Sequence, residues 1–366
     1  MRIRLLTCTK LLLGSLVFSI AMPAAWAQSS TARTAPRTIP RTPDGHPDLQ
    51  GTYDLGTLTP LERAANTPLV LTDEEAAALE KRIAQQNEKG YAPVAGDRAA
   101  PPKGGDGTPG PYGNVGGYNN FWLDPGSAYT TVDGRKRASL LIDPPDGRVP
   151  AMKPEARQRN ADRQVTFTSD QRANEDDPGF EGPEAYNDPE QRPLGERCLV
   201  GFGSTSGPPI LPTYFYNNLH QIVQTPDQIL ILTEMVHDAR VIRMNDRHLP
   251  PNMRKWLGDS IGRWEGDTLV VDTTNFTDKT HFRGSSQDLH VVERFTRVDA
   301  STLRYQFTIE DPTTWDRPWT AEYTWPATTE RIFEYACHEG NYALGNILRG
   351  ARLKEKDEAA RKTKQQ

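Results

Sequence analysis

The sequence predicts a mainly β protein: an antiparallel meander closing into a barrel in the C-terminal half, after a loop-rich N-terminal region with one or two helices. Three observations lead there. From Tyr214 onward, short apolar runs alternate with turn residues at close spacing, with no helical periodicity between them. Within a run such as Leu303 to Glu310, Leu303, Tyr305, Phe307 and Ile309 share one face while Arg304, Gln306, Thr308 and Glu310 share the other. Eight or nine such strands need their edges paired, and closure does this; a sandwich is the alternative.

The elements follow in chain order. Arg2, Arg4 and Lys10, an apolar run from Leu11 to Met22 and a small-x-small site at Ala25-Trp26-Ala27 form an export signal over residues 1–27. Its apolar run of about 12 residues is too short to span a bilayer, which needs roughly 20. Residues 28–45 read as an extended leader rich in Ser, Thr, Arg and Pro. The turn cluster from Pro43 to Gly51 leads into a short strand. In the loop-rich region 46–195, Thr72 is a natural N-cap with Glu75 at the capping-box position, and Ala76, Leu79 and Ile83 form an apolar stripe. That predicts a helix over about 73–89, stopped at Gly90. Residues 92–117 and 170–195 read as loop, 118–123 and 139–143 as short strands, and a second helix starts at Pro154. The barrel is expected over 196–352, with strands around 229–233, 269–273, 289–298, 303–310, Tyr323 and Ile332. Glu265-Gly266-Asp267 gives a hairpin, and 353–366 reads as a polar tail.

The chain carries a net charge of −5, and loss of residues 1–27 takes away three cations and no acid, leaving −8. Nucleic acid and anionic membrane reward a basic face, so neither is expected as a partner. No later segment is apolar enough for membrane insertion after signal removal. A periplasmic or secreted protein with a small-molecule substrate or ligand is the expectation. Two cysteines survive export, Cys198 and Cys337, and an oxidising compartment pairs them in one disulfide, tying the start of the C-terminal half to its last strand.

Six of the seven histidines lie between Cys198 and His338. His220, His237 and His281 are candidate metal ligands. No cofactor follows from a recognised spacing, since there is no His-x-His or Cys-x-x-Cys; a divalent metal ion held across strands is the candidate. Strand parity places Glu293 with Val291 and Phe295, facing the barrel interior. It is then either a site acid or base, or the partner of a buried arginine such as Arg243 or Arg263. His281, His338 and Glu339 complete the candidate acid–base set. Arg294 is a candidate anion holder, and Trp315, Trp319 and Tyr216 are candidate aromatic platforms for a ring-shaped ligand. A serine nucleophile is disfavoured, because Gly203-Ser204-Thr205-Ser206-Gly207 is out of register for the nucleophile elbow.

The motifs Pro43-Asp44-Gly45-His46-Pro47-Asp48-Leu49-Gln50-Gly51, Asp143-Pro144-Pro145-Asp146-Gly147-Arg148, Gly262-Arg263-Trp264-Glu265-Gly266-Asp267-Thr268-Leu269 and Ala336-Cys337-His338-Glu339-Gly340-Asn341-Tyr342 together resemble an uncharacterised family of exported proteins of Gram-negative bacteria. The resemblance implies export and a shared β-rich fold, and brings no activity or catalytic residues with it. Two functions are carried forward. One is a lyase or hydrolase acting on a small glycan or aromatic natural product at a barrel mouth. The other is a non-catalytic, lipocalin-like carrier of an apolar small molecule.

Overall fold

The structure is a computed structural model that describes residues 39–90, 124–162, 186–192, 194–201, 206–212, 216–280 and 282–365. The export signal, the leader up to residue 38, the loop at 92–117, the strand at 118–123 and the loop over 170–185 lie outside the described residues, as does His281.

The barrel is closed and has nine strands. In chain order they are β1 (Gly51–Asp54), β5 (Leu219–Gln224), β6 (Gln228–Thr233), β7 (Ala239–Met244), β8 (Asp259–Glu265), β9 (Thr268–Thr274), β10 (His290–Asp299), β11 (Thr302–Glu310) and β12 (Trp319–Thr328). A hairpin of β2 (Thr131–Val132) and β3 (Arg135–Lys136), and the short β4 (Leu141–Asp143), come between β1 and β5 in sequence. Neighbours pair in sequence order from β5 to β12, and β1 pairs with both β5 and β12 to close the ring. β4 adds to the free stretch of β12 through Thr320↔Asp143 and Ala321↔Leu141.

One pair departs from the expected antiparallel pattern. β7 and β8 run parallel, with Ile242↔Ser260 and Met244↔Gly262. Two parallel neighbours need a long crossover, and residues 245–258 supply it, leaving β7 at one end and starting β8 at the other. Alternation of side chains reports which face a residue takes but not strand direction, so the pattern carries no sign of this. The segment around Ile332 is also not a strand: β12 ends at Thr328 and residues 329–336 are irregular. β12 already has β11 on one side and β1 and β4 on the other, so the ring offers no edge for a further strand.

The helices lie outside the barrel. α1 (Asp73–Gly90) starts with the predicted capping box: the Thr72 amide donates to Glu75 Oε2 at 2.9 Å and the Glu75 amide to Thr72 Oγ1 at 3.1 Å. Ala76 is buried, Leu79 and Ile83 half-buried, and Glu80 pairs with Lys136 of β3. α2 (Pro154–Asp162) starts at the predicted proline. α3 (Ala343–Gln365) runs through the segment read as a polar tail and is exposed along most of its length. Among the described residues no helix is long and apolar enough to cross a membrane.

The barrel interior is the core. Phe295, Tyr305, Tyr323 and Trp325 are fully buried there, with Tyr305 and Trp325 ring centres 4.8 Å apart and Phe295 edge-on to Trp325 at 5.4 Å. We call the end where β5, β7, β8, β10 and β12 begin the upper end. The turn cluster after Thr42 closes the lower one. His46 stacks flat on Trp264 at 4.6 Å, and Leu49 is fully buried. Arg297 Nη1 donates to Tyr53 Oη at 2.7 Å and to the Asp48 carbonyl at 3.0 Å. Burial pushes the Tyr53 hydroxyl up to about 12, so it stays a neutral donor to the Leu49 carbonyl at 2.8 Å.

Candidate functional site at the upper end of the barrel

Inward parity puts Arg240 in phase with Ile242 on β7 and Glu293 in phase with Val291 and Phe295 on β10. The two meet inside. Arg240 Nη1 and Nη2 donate to Glu293 Oε2 and Oε1 at 2.5 and 2.9 Å, with the carboxylate fully buried and the guanidinium nearly so. Burial opposes the charge on Arg240, but the Glu293 charge and hydrogen bonds outweigh it and raise the Arg240 pKa. Tyr305 donates its hydroxyl proton to Glu293 Oε1 at 2.7 Å. Burial first, and the Glu293 charge second, push the Tyr305 pKa well above the usual phenol range. Glu293 is therefore engaged by three donors, which suits a fixed anion rather than a proton acceptor in catalysis. Arg240 Nε and Trp325 Nε1 are buried and have no hydrogen-bond partner among the described residues.

Against the two phenols of Tyr305 and Tyr323 lies the segment 206–212, here called the plug. Ile210 is fully buried, its amide donates to Tyr305 Oη at 2.9 Å, and its carbonyl accepts from Tyr323 Oη at 3.0 Å. The segment is anchored from outside the ring. Ser206 donates to Asp238 Oδ2, which also accepts the Gly201 amide at 3.0 Å. Burial raises the Asp238 pKa despite these bonds. The Cys198–Cys337 disulfide joins the stretch before the plug to the irregular segment after β12, so it reaches past the last strand rather than to it. That irregular segment is pinned to the β6–β7 turn: the Phe333 amide donates to Glu234 Oε1 at 3.0 Å, and His237 Nδ1 donates to the Tyr335 carbonyl at 3.1 Å.

Backbone strain gathers at this end. Asn217, Val236, His237, Asn275 and Arg283 lie in connections that open there, Cys198 anchors the plug, and all have positive φ without being glycine. For the β-branched Val236, at φ 61°, this is an outlier conformation. Such outliers collect at ligand clamps and active sites.

A second polar array lies on the outer wall. Asp272 of β9 sits between His248 Nε2 at 3.0 Å and His290 Nε2 at 3.1 Å. His248 Nδ1 faces Asp259 at 3.3 Å and His290 Nδ1 faces Glu310 at 3.4 Å. The hydrogen bond to Asp272 raises the His290 pKa. Burial opposes ionisation of Asp272, but its bonds to the two imidazoles prevail and hold its pKa low. The array fastens the 245–258 crossover to the strands.

The residues singled out in the sequence are spread apart. Glu293 faces inward as parity predicted, but its partner is Arg240; Arg243 binds Asp246 and Asp259, and Arg263 binds Glu265. Arg294 forms a surface pair with Glu265 at 2.8 Å. Trp315 and Trp319 are buried against each other edge to face at 5.9 Å and are not displayed to solvent; Trp319 is the first inward residue of β12. Tyr216 stacks on Tyr335 at 6.5 Å. His220 is buried beside Trp325, with Nδ1 on the Asn218 carbonyl at 3.1 Å, whereas His237 is exposed. His338 and Glu339 sit in an exposed turn after the barrel. Among the described residues no group of three or more His, Cys, Asp or Glu side chains is arranged to hold a metal ion.

Sequence reasoning missed Arg240, Tyr305, Tyr323 and the plug. A signal for Arg240 existed, since one arginine in phase with Ile242 and Met244 must face inward. The run Pro208-Pro209-Ile210-Leu211-Pro212 carried another, being apolar yet unable to pair as a central strand. Protein-family models, curated proteins and solved structures yield no match to this chain, so the site is read from its own geometry.

Proposed function

We propose that the protein is a non-catalytic, lipocalin-like carrier that takes up a small apolar or aromatic molecule through the upper end of the barrel, and that it works in the periplasm or after secretion. One observation carries this reading. The inward surface is mainly aromatic and aliphatic; of the described candidate acids and bases, His237, His338 and Glu339 are exposed and Glu293 is locked in the Arg240–Glu293 pair, while His220 is buried against Trp325. Small-molecule sites have this character: an apolar lining with a few fixed polar groups. The disulfide supports an oxidising compartment.

Ligand-linked stability tests the reading. N-phenyl-1-naphthylamine, a neutral aromatic amine, should raise the urea midpoint, by about 2.7 kcal/mol of stability at a hundredfold excess over its dissociation constant. An unchanged midpoint at the solubility limit of the probe would count against the carrier.

The lyase or hydrolase reading keeps one observation in its favour, the His248–Asp272–His290 chain, because imidazoles bridged by a carboxylate are a common acid–base arrangement. Each ring nitrogen there already faces a carboxylate, so a substrate would have to displace Asp259 or Glu310 to engage one.

A further inference from the structure

We propose that Tyr305 and Tyr323 form a recognition site for an N-acylated aliphatic amino-acid unit inside the barrel, and that Ile210 of the chain itself occupies it as a tethered stand-in. The inference rests on the carrier reading and adds the chemical class of the ligand.

Tyr305 has one hydroxyl proton, and it is committed to Glu293 Oε1 at 2.7 Å. Its oxygen can then only accept from the interior, and the Ile210 amide fills that role at 2.9 Å. Tyr323 donates to the Ile210 carbonyl at 3.0 Å. The two rings stand perpendicular at 5.5 Å, presenting an acceptor and a donor side by side. Together they read the N–H and C=O of a single residue, as a neighbouring β-strand would. The Ile210 side chain, fully buried, fills the adjoining apolar space.

A plug needs no such apparatus, since burying a charged pair costs several kcal/mol per ion before the attraction returns it. Here Arg240 and Glu293 are buried with the result that one phenol is fixed as an acceptor. The plug is held at its outer side by Ser206, Asp238 and the disulfide-linked stretch, so it can leave the two phenols and remain attached. A ligand with an N-acyl amino-acid unit and a branched aliphatic side chain would replace each Ile210 contact in kind.

The test uses the full oxidised chain. Hydrogen exchange comes first, on the wild type: the Ile210 amide should exchange at least 100-fold faster than the amides of β11. Exchange as slow as β11 would mean that Ile210 leaves only on global unfolding, and would overturn the proposal. The second measurement is calorimetric binding of N-acetyl-isoleucine methylamide to Ile210→Gly. Binding should be at least tenfold tighter than to the wild type. It should fall at least tenfold when Tyr323→Phe is added, or when the probe amide that meets Tyr305 is N-methylated. Equal weak binding by all of these would refute the site. If Ile210→Gly does not fold, the wild-type exchange result decides alone. Binding of N-phenyl-1-naphthylamine without any of these effects would sink this inference and leave the carrier standing, whereas loss of both would sink the two together.

Discussion

Arg240 on β7 reaches across the barrel to close both oxygens of Glu293 on β10, and Tyr305 completes the carboxylate from β11. This places a charged pair inside a core that is mainly aromatic and aliphatic. Removing one partner leaves the other charged and buried without a counterion, which costs about 3–5 kcal/mol. Glu293→Gln should therefore lower the urea midpoint sharply. The double variant Arg240→Met with Glu293→Leu should recover most of that loss, because apolar side chains of similar volume satisfy the same space. Equal destabilisation by the single and double variants would contradict this account of the pair.

The disulfide closes a loop of 139 residues. On loop entropy alone, a cross-link of that span stabilises by about 4–5 kcal/mol. Cys198→Ser with Cys337→Ser should remove up to that amount in urea unfolding. It should also speed amide exchange at Ile210 more than in β10 or β11, since the bond holds the stretch leading to the plug. A uniform change across all amides would mean that it stabilises the fold without acting on the plug.

The outer-wall array makes stability depend on pH. The His290 pKa is raised, so its contribution is complete below the ordinary histidine value of about 6.5 and disappears as pH rises through the folded value. The Asp272 pKa is lowered, so its contribution is complete above about 4 and disappears as pH falls through the folded value. The array should stabilise most between about pH 4 and 6.5. Subtracting the urea-midpoint profile of His290→Gln from that of the wild type should show a maximum in that window. A flat difference would rule the array out as a contributor.

Gly147 has φ 71°, and a Cβ there would run into the Arg63 guanidinium. Arg63 in turn donates to Ser139 Oγ and the Leu141 carbonyl at 3.0 Å each, tying β4 to the connection after β1. Gly147→Ala should cost about 1–3 kcal/mol, through strain at positive φ and the displaced arginine. Gly134, also at positive φ but with open space around it, should lose less on the same substitution when the two are compared by thermal unfolding.

Much of the barrel was legible because several strands carry a period of two, and Leu303 to Glu310 shows it without interruption. The capping box at Thr72 and the hairpin at Glu265-Gly266-Asp267 were legible because their chemistry is local. Glu293 could be placed inside by parity, but not matched to Arg240, because 53 residues separate them and nothing local couples the two strands. The parallel β7–β8 pair was illegible because alternation reports the face a residue takes and not the direction of its strand. Trp315 and Trp319 looked like a displayed platform because their turn is polar, yet Trp319 begins β12 on its inward face. The His248–Asp272–His290 array depends on how the crossover folds back, which no spacing encodes.

The central claim is that an apolar molecule enters this barrel, and energy transfer from tryptophan to N-phenyl-1-naphthylamine tests it most directly. Trp325 is fully buried inside the ring and packs on Tyr305 at 4.8 Å. The account predicts saturable one-to-one binding, with transfer that drops when Trp325→Phe removes the central donor while folding is retained. Transfer that never saturates, or that is indifferent to Trp325, would place the probe on the outer surface and contradict the claim.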